Sequence, residues 1–269
     1  MKYLFALCWA WAGLPALAQT RREVAPYQLW LEPQAELALK NGDYLLLSLH
    51  GENTPKYNAS PYNDRVLGFD TRGAALAYEH FWNDHWSGGG TLQYVSVSGA
   101  TFVVPELLLR HRSPLGPLTF GQRLGAYRTI RTGDKNATIG QSQNWLTLRA
   151  DLEKLLPVGR GVALRPRLSY EAVRRVEFQK NPNFGEERTI NYTSLRAEVS
   201  CRLNDYVDVT PWFAYTTQYY FTIGQSNSNG QPVGGGRLNL VTPVLGLDAR
   251  FTLFEGKAVF ERRQLPTQH

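Results

Sequence analysis

The five histidines, His50, His80, His85, His111 and His269, are the side chains here best suited to proton transfer or metal binding. His80 and His85 flank Asn83-Asp84 closely enough to invite a metal site, yet no His, Cys or carboxylate spacing matches a ligand pattern. A nucleophilic serine needs a general base beside it. Ser226 and Ser228 lie in Gln225-Ser226-Asn227-Ser228-Asn229-Gly230, where no histidine is near in sequence, so a polar loop is expected. Gly88-Gly89-Gly90 and Gly234-Gly235-Gly236 lack the strand–glycine–helix setting and the lysine of a phosphate cradle, and fit a barrel bend and a loop. Cys201, between Val199 and Leu203 on an apolar face, reads as a small packing residue. No catalytic residue, cofactor or metal is expected, and the chain reads as a non-enzyme.

The elements that would position any site announce themselves by a period of two. From Tyr27 to Lys40 the odd positions are Tyr27, Leu29, Leu31, Pro33, Ala35, Leu37 and Leu39; the even ones include Gln28, Glu32, Gln34, Glu36 and Lys40. A strand puts alternate residues on opposite faces, whereas a helix would mix these two sets. Asn41-Gly42-Asp43 then reads as a tight turn, and 44–52 runs back. The same grammar places strands near 69–82, 86–97, 102–112, 118–131, 144–155, 162–173, 189–203, 206–219 and 238–251, with a shorter one at 257–264. Most have about ten residues or more, the length of a tilted membrane-crossing strand rather than the five or six usual in soluble sandwiches. Short connections (Asn41-Gly42-Asp43, Asn83-Asp84-His85, 114–117, 157–159, Asn204-Asp205) largely alternate with long polar ones at 53–68, 132–143, 174–188 and 220–237; Ser98-Gly99-Ala100 is short where a long one is due. Loops sorted by length to opposite ends are a property of outer-membrane barrels.

Arginines and carboxylates occupy the face opposite the leucines. The positions expected to face a lumen, as structural or pore-lining groups, are Glu106, Arg110, Arg123, Arg149, Asp151, Arg165, Arg167, Glu171, Arg196, Glu198, Asp248 and Arg250, joined by Arg112, Arg131, Glu153, Arg202 and Asp208. An arginine on a lipid face at mid-membrane costs roughly 2–4 kcal/mol, while inside a narrow lumen it meets water or a carboxylate. A lumen largely filled by these side chains is expected. Trp82, Trp86, Trp145, Tyr219, Tyr220 and Phe221, near segment ends, are expected in interfacial girdles.

The ends and composition agree with export. Lys2, the apolar run Leu4–Leu14 and Ala16-Leu17-Ala18 form a cleavable signal, so 1–18 reads as a signal peptide and 19–269 as one outer-membrane barrel domain. The mean hydropathy of -0.34 is compatible with a barrel because alternation cancels in the average. One cysteine after Cys8 leaves no disulfide framework. The net charge of +6 is spread along the strands rather than gathered into a basic tract, which argues against nucleic acid.

Ala77-Tyr78-Glu79-His80-Phe81-Trp82-Asn83-Asp84-His85-Trp86-Ser87-Gly88-Gly89 is similar to the strand–turn–strand unit of small, uncharacterised outer-membrane barrels of Bacteroidetes type. That resemblance spreads over nearly the whole mature chain as texture. It implies an outer-membrane location in a Gram-negative cell, membrane lipid and the barrel-assembly machinery as partners, and small solutes as candidate cargo; it carries no catalytic residue. Such barrels often end in an aromatic strand terminus; here Gly246–Phe251 has that look, but eighteen residues follow. Gln225–Gly230 partly resembles the His-x-Ser-Asn-Gly region of outer-membrane phospholipases, with Ser226 where the base belongs. The fold expected is a closed antiparallel transmembrane β-barrel of about 12 strands, within 10–14, working as a minor channel or a structural or surface-interaction protein. A lipid hydrolase and a soluble secreted sandwich or ligand-binding barrel are the alternatives.

Overall fold

The computed structural model describes residues 20–55, 68–97, 100–132, 142–159, 162–176, 189–222, 225–226, 232–233 and 236–255. The strands in chain order are β1 (Arg21–Val24), β2 (Gln28–Ala38), β3 (Tyr44–Asn53), β4 (Thr71–Phe81), β5 (Trp86–Val97), β6 (Ala100–Leu115), β7 (Leu118–Thr132), β8 (Gln143–Glu153), β9 (Leu156–Gly159), β10 (Val162–Val176), β11 (Tyr192–Arg202), β12 (Val207–Thr222), β13 (Gln225–Ser226), β14 (Pro232–Val233) and β15 (Gly236–Phe254). None of the described residues forms a helix long and apolar enough to cross a membrane.

Eleven strands close into a barrel: β2 to β8, β10 to β12, and β15. From β2 round to β15 each strand pairs antiparallel with the next. The circuit is completed by a parallel pair, β15 with β2, in which Val244 stands opposite Gln28 and Phe254 opposite Ala38. An up-and-down meander with an odd strand number leaves its first and last strands pointing the same way, so the seam has to be parallel. The closed antiparallel barrel expected from the sequence is present, its eleven strands lie within the expected 10–14, and this seam is its one parallel junction. Each expected segment from 27–40 to 238–251 overlaps one barrel strand, and the shorter segment at 257–264 lies outside the described residues.

Four short strands lie off the circuit; β13 and β14 pair with each other, and β1 and β9 extend the barrel sheet. β1 runs parallel to β15, Arg21 to Val24 opposite Leu238 to Val241, along the same edge that β2 takes further on. Four residues of the first strand then span three of β15, the signature of a bulge, at Pro26, which has no N–H for the ladder. β9 pairs with β10, so Pro157-Val158-Gly159, expected as a turn, is part of a short strand.

The short turns 39–43, 82–85, 116–117, 154–161 and 203–206 fall at one rim. The connections 54–70, 98–99, 133–142, 177–191 and 223–235 belong to the other, here called the loop rim. β2 enters from the loop rim and β15 leaves at the turn rim, placing the two ends of the barrel domain at opposite rims. At the first turn Gly42 adopts φ +88°, a left-handed conformation that a residue without Cβ adopts at least cost. Asn41 Oδ1 accepts the Asp43 N–H at 3.1 Å and Leu39 N donates to Asp43 O at 2.8 Å, so Asn-Gly-Asp closes the hairpin as its composition predicts.

The distribution of polarity is inverted relative to a soluble domain. Leu107 is 73 % exposed, and Leu76, Leu92, Leu148, Leu168 and Leu195 also stand on the outside. Glu79 is 0 % and Arg110 3 % exposed, and Glu36, Arg149, Arg167, Glu198 and Asp248 are buried with them. Among the described residues, buried apolar side chains form two small clusters, Tyr44 with Leu46 and Ala77, and Trp212 with Ala214 and Val244.

Candidate functional site: the charged interior

Alternation along each strand carries one residue in two to the inside, and antiparallel register lines those residues up in rows. One row runs Ser87, Arg110, Arg123, Arg149, Glu171 across β5, β6, β7, β8 and β10. Three arginines side by side would repel one another; carboxylates from the rows above and below relieve this. Glu79 meets Arg110, with both its oxygens 2.7–2.8 Å from Nη1. Glu106 Oε1 takes a bond from Arg123 Nη2 at 2.6 Å. Glu171 stands directly opposite Arg149. Ser87 Oγ donates to Glu79 at 2.5 Å, and the Tyr44 hydroxyl donates to the same carboxylate.

The opposite wall holds a second network. Glu198 accepts from Arg196 Nε at 2.7 Å and pairs with Arg167 at 2.5 Å. Arg196 also reaches Asp248 at 2.8 Å, and Trp212 Nε1 donates to the other Asp248 oxygen at 2.7 Å. The Arg196 guanidinium lies 3.9 Å from the centre of the Trp212 ring, a cation–π contact, and Trp30 meets Trp212 edge-on at 5.6 Å. Arg250 joins the seam by donating to Gln34 at 2.8 Å and Glu36 at 3.2 Å, both on β2. Position 246 lies under the indole of Trp212; a Cβ there would overlap the ring, so glycine is what lets β15 approach.

Every residue singled out for the lumen lies on the inner face, and the fold joins them in specific partnerships. Arg110, Arg123, Arg149, Asp151, Arg165, Arg167, Arg196, Glu198, Asp248 and Arg250 are buried; Glu106 and Glu171 are half-buried. Asp151 packs its carboxylate over Gly121, and Arg165 lies 3.9 Å from Glu153. Arg202 reaches Asp208 at 3.3 Å. Sequence reasoning missed Glu79, Tyr44, Ser87 and the pairing roles of Gln34 and Glu36. The phase of β2 already put Gln34 and Glu36 on the polar face. In β4, Ala74, Ala75 and Ala77 blur the two faces, so Glu79 had little contrast to mark it.

Between β5, β6 and β7, toward the loop rim, the lumen keeps a cavity of about 280 Å³ lined by Thr91, Gln93, Val95, Phe102, Glu106, Tyr127 and Thr129, among others. Trp145 stacks on Tyr127 with ring centres 6.1 Å apart and shares the inner phase of Thr147 and Arg149. Its expected place in an outer girdle is corrected: the odd positions of β8 point inward. Trp82 and Trp86 are exposed at the turn rim on the outward phase; Tyr220 is exposed at the loop-rim end of β12 but shares the inward phase of Trp212, Ala214 and Thr216, so its expected place in an outer girdle is corrected as well.

At the turn rim, Asp43 gathers four donors. His80 Nδ1 lies 2.9 Å from Oδ2, the Tyr78 hydroxyl and Asn41 Nδ2 each donate at 2.7 Å, and Phe81 N donates to Oδ1 at 3.1 Å. Burial works against the charge on Asp43, but the bonds from His80, Tyr78 and Phe81 outweigh it and hold the carboxyl below its ordinary range. His85 Nδ1 meets Arg112 O at 2.9 Å, so His80 and His85 serve different partners. Among the described residues no group of His, Cys, Asp and Glu is arranged to hold a metal ion. Cys201 is a free thiol beside the Val199 carbonyl. The backbone of Gln225–Ser226 pairs with Pro232–Val233.

Comparison with known proteins finds no protein family that matches the chain and no curated protein similar to it. The class rests on the fold: a closed, mostly antiparallel β-barrel of eleven strands.

Proposed function

We propose that this chain is an outer-membrane β-barrel without catalytic activity, held in lipid by its leucine-bearing outer face and occluded by the ion pairs of its interior. It would act as a structural or surface-interaction protein. One observation carries the reading: the outward rows are leucine and aromatic, while arginines and carboxylates are buried inside. A barrel in water gains stability by the opposite arrangement, because burying apolar area is its main driving force. In a bilayer there is no water to drive leucines inward, and a closed circuit leaves no strand edge unpaired. The resemblance of 77–89 to small outer-membrane barrels and the export signal read in 1–18 support the same location.

Occlusion follows from the near balance of arginines and carboxylates on the inner face and from their direct pairing across neighbouring strands. A minor channel is the second reading, favoured by the cavity bounded by Thr91, Glu106 and Tyr127. A lipid hydrolase lacks a general base in the region it would use: Ser226 stands where the phospholipase region carries its histidine. The closed circuit does not fit a secreted sandwich, and the exposed leucines do not fit a soluble ligand-binding barrel.

Fractionation with detergent and gel migration before and after boiling test the location: an outer-membrane fraction and a heat-dependent shift are expected. Recovery as a detergent-free soluble monomer would refute it. Planar-bilayer recording then separates plug from pore, since the plug predicts almost no conductance and a steady open current would reject it.

A further inference from the structure

We propose that Arg72, Arg128, Arg174 and Arg237 form a belt at the loop rim that holds the phosphate groups of lipid headgroups. The proposal rests on the membrane reading above, and adds which lipid chemistry the barrel selects and which leaflet its loop rim faces. All four are exposed and share the outward phase of their strands. On β4 the outward column runs Tyr78, Leu76, Ala74 and then Arg72 toward the loop rim. On β10 it runs Leu168, Tyr170, Ala172 and then Arg174. Arg72 and Arg174 thus directly follow an apolar column; on β7 Leu124 and Ala126 precede Arg128 and Ile130 follows it, and on β15 Asn239 stands between Val241 and Arg237. The other arginines of the barrel strands share the inward phase.

β4, β7, β10 and β15 are spread around the circuit, so the charges encircle the barrel. Guanidinium groups spaced around a cylinder cannot converge on one soluble ion; they match separate headgroups in a surrounding leaflet. Arginine suits that partner because its planar fork binds two phosphate oxygens at once, and its stem can lie along apolar surface while the head reaches the interface. The turn rim is different: among the described residues no arginine faces outward there, and Trp82, Trp86 and Tyr206 take the outer positions. The exposed cations of the turn rim, among the described residues, are Lys40, which lies 3.9 Å from Glu255, and Lys154; only the loop rim carries outward guanidinium forks, which points it toward the leaflet richer in lipid phosphate.

The test uses the full chain refolded in a non-ionic detergent and titrated with fluorescent bisphosphorylated lipid A, with the same glycolipid stripped of its phosphates, and with inorganic phosphate as competitor. Tighter binding of the phosphorylated glycolipid is expected, weakened about fivefold by each of R72Q, R128Q, R174Q and R237Q, as the attraction of one basic residue to an anionic lipid surface implies. Arg→Lys at the same positions should recover only part of the affinity, since lysine keeps the charge and loses the two-oxygen fork. Equal affinity for the two glycolipids, a quadruple Gln variant that binds like the parent, or displacement by inorganic phosphate at physiological ionic strength would overturn the belt. The first comparison needs no variant and survives any folding defect. A chain that takes up neither detergent nor lipid overturns the membrane reading; one that inserts yet ignores phosphate overturns only the belt.

Discussion

Arg110 on β6 grips Glu79 on β4 across the intervening strand, its Nη1 2.8 and 2.7 Å from the two carboxylate oxygens. Ser87 on β5 donates to the same carboxylate, so one buried anion ties three strands together. Stripping one partner from such a pair leaves an uncompensated buried charge and costs about 3–5 kcal/mol. R110L and E79L should each lower the temperature of the heat-dependent gel shift markedly, while R110L/E79L recovers much of the loss. Additive losses in the double variant would show that the two residues act independently.

Gly246 and Trp212 make a second coupled pair. G246A should destabilise the barrel by about 1–3 kcal/mol, because the methyl must displace the indole that bonds Asp248. In a W212A background the same substitution should cost little. Denaturant unfolding of the four proteins measures the coupling, and an equal cost in both backgrounds would refute the overlap.

Asp43 makes the first turn acid-sensitive. Its carboxyl titrates lower when folded than in an unfolded chain, so its stabilising contribution is present in full above the unfolded value of about 4 and disappears as the pH falls through the depressed folded value. The protection of Phe81 N and Leu39 N against hydrogen exchange, relative to the intrinsic rate at each pH, should therefore fall in strong acid and stay constant near neutrality. D43N should raise exchange at neutral pH and remove most of the acid step. An acid step of the same size in D43N would assign it to another group.

Leu107 tests what surrounds the barrel. If its outer face meets acyl chains, L107R should cost roughly 2–4 kcal/mol. On a surface bathed in water, a substitution away from special features changes stability by about 0.5 kcal/mol or less. Refolding equilibria into lipid vesicles read the difference, and a near-neutral result would count against the bilayer.

The strands were legible wherever neighbouring residues contrast sharply. Leu107 and Leu109 against Arg110, or Leu146 and Leu148 against Arg149, declare two faces within a few residues. Where both faces are small, as along Ala74–Ala77, the strand could be found but the role of Glu79 could not. Trp145 shows the converse error: an aromatic near a strand end looks like a girdle residue until its phase is known.

Alternation is a local property of the chain, set by the geometry of a single extended strand, so the two faces and the charged interior could be read from residues in order. Partnership is not local. Arg196 and Asp248 are far apart along the chain and meet only because β11, β12 and β15 stand side by side, and the parallel seam of β2 with β15 exists only because the strand number is odd. Closure into a ring, and with it the pairing of each buried charge, depends on how many strands the whole circuit holds, and no short stretch of residues contains that number.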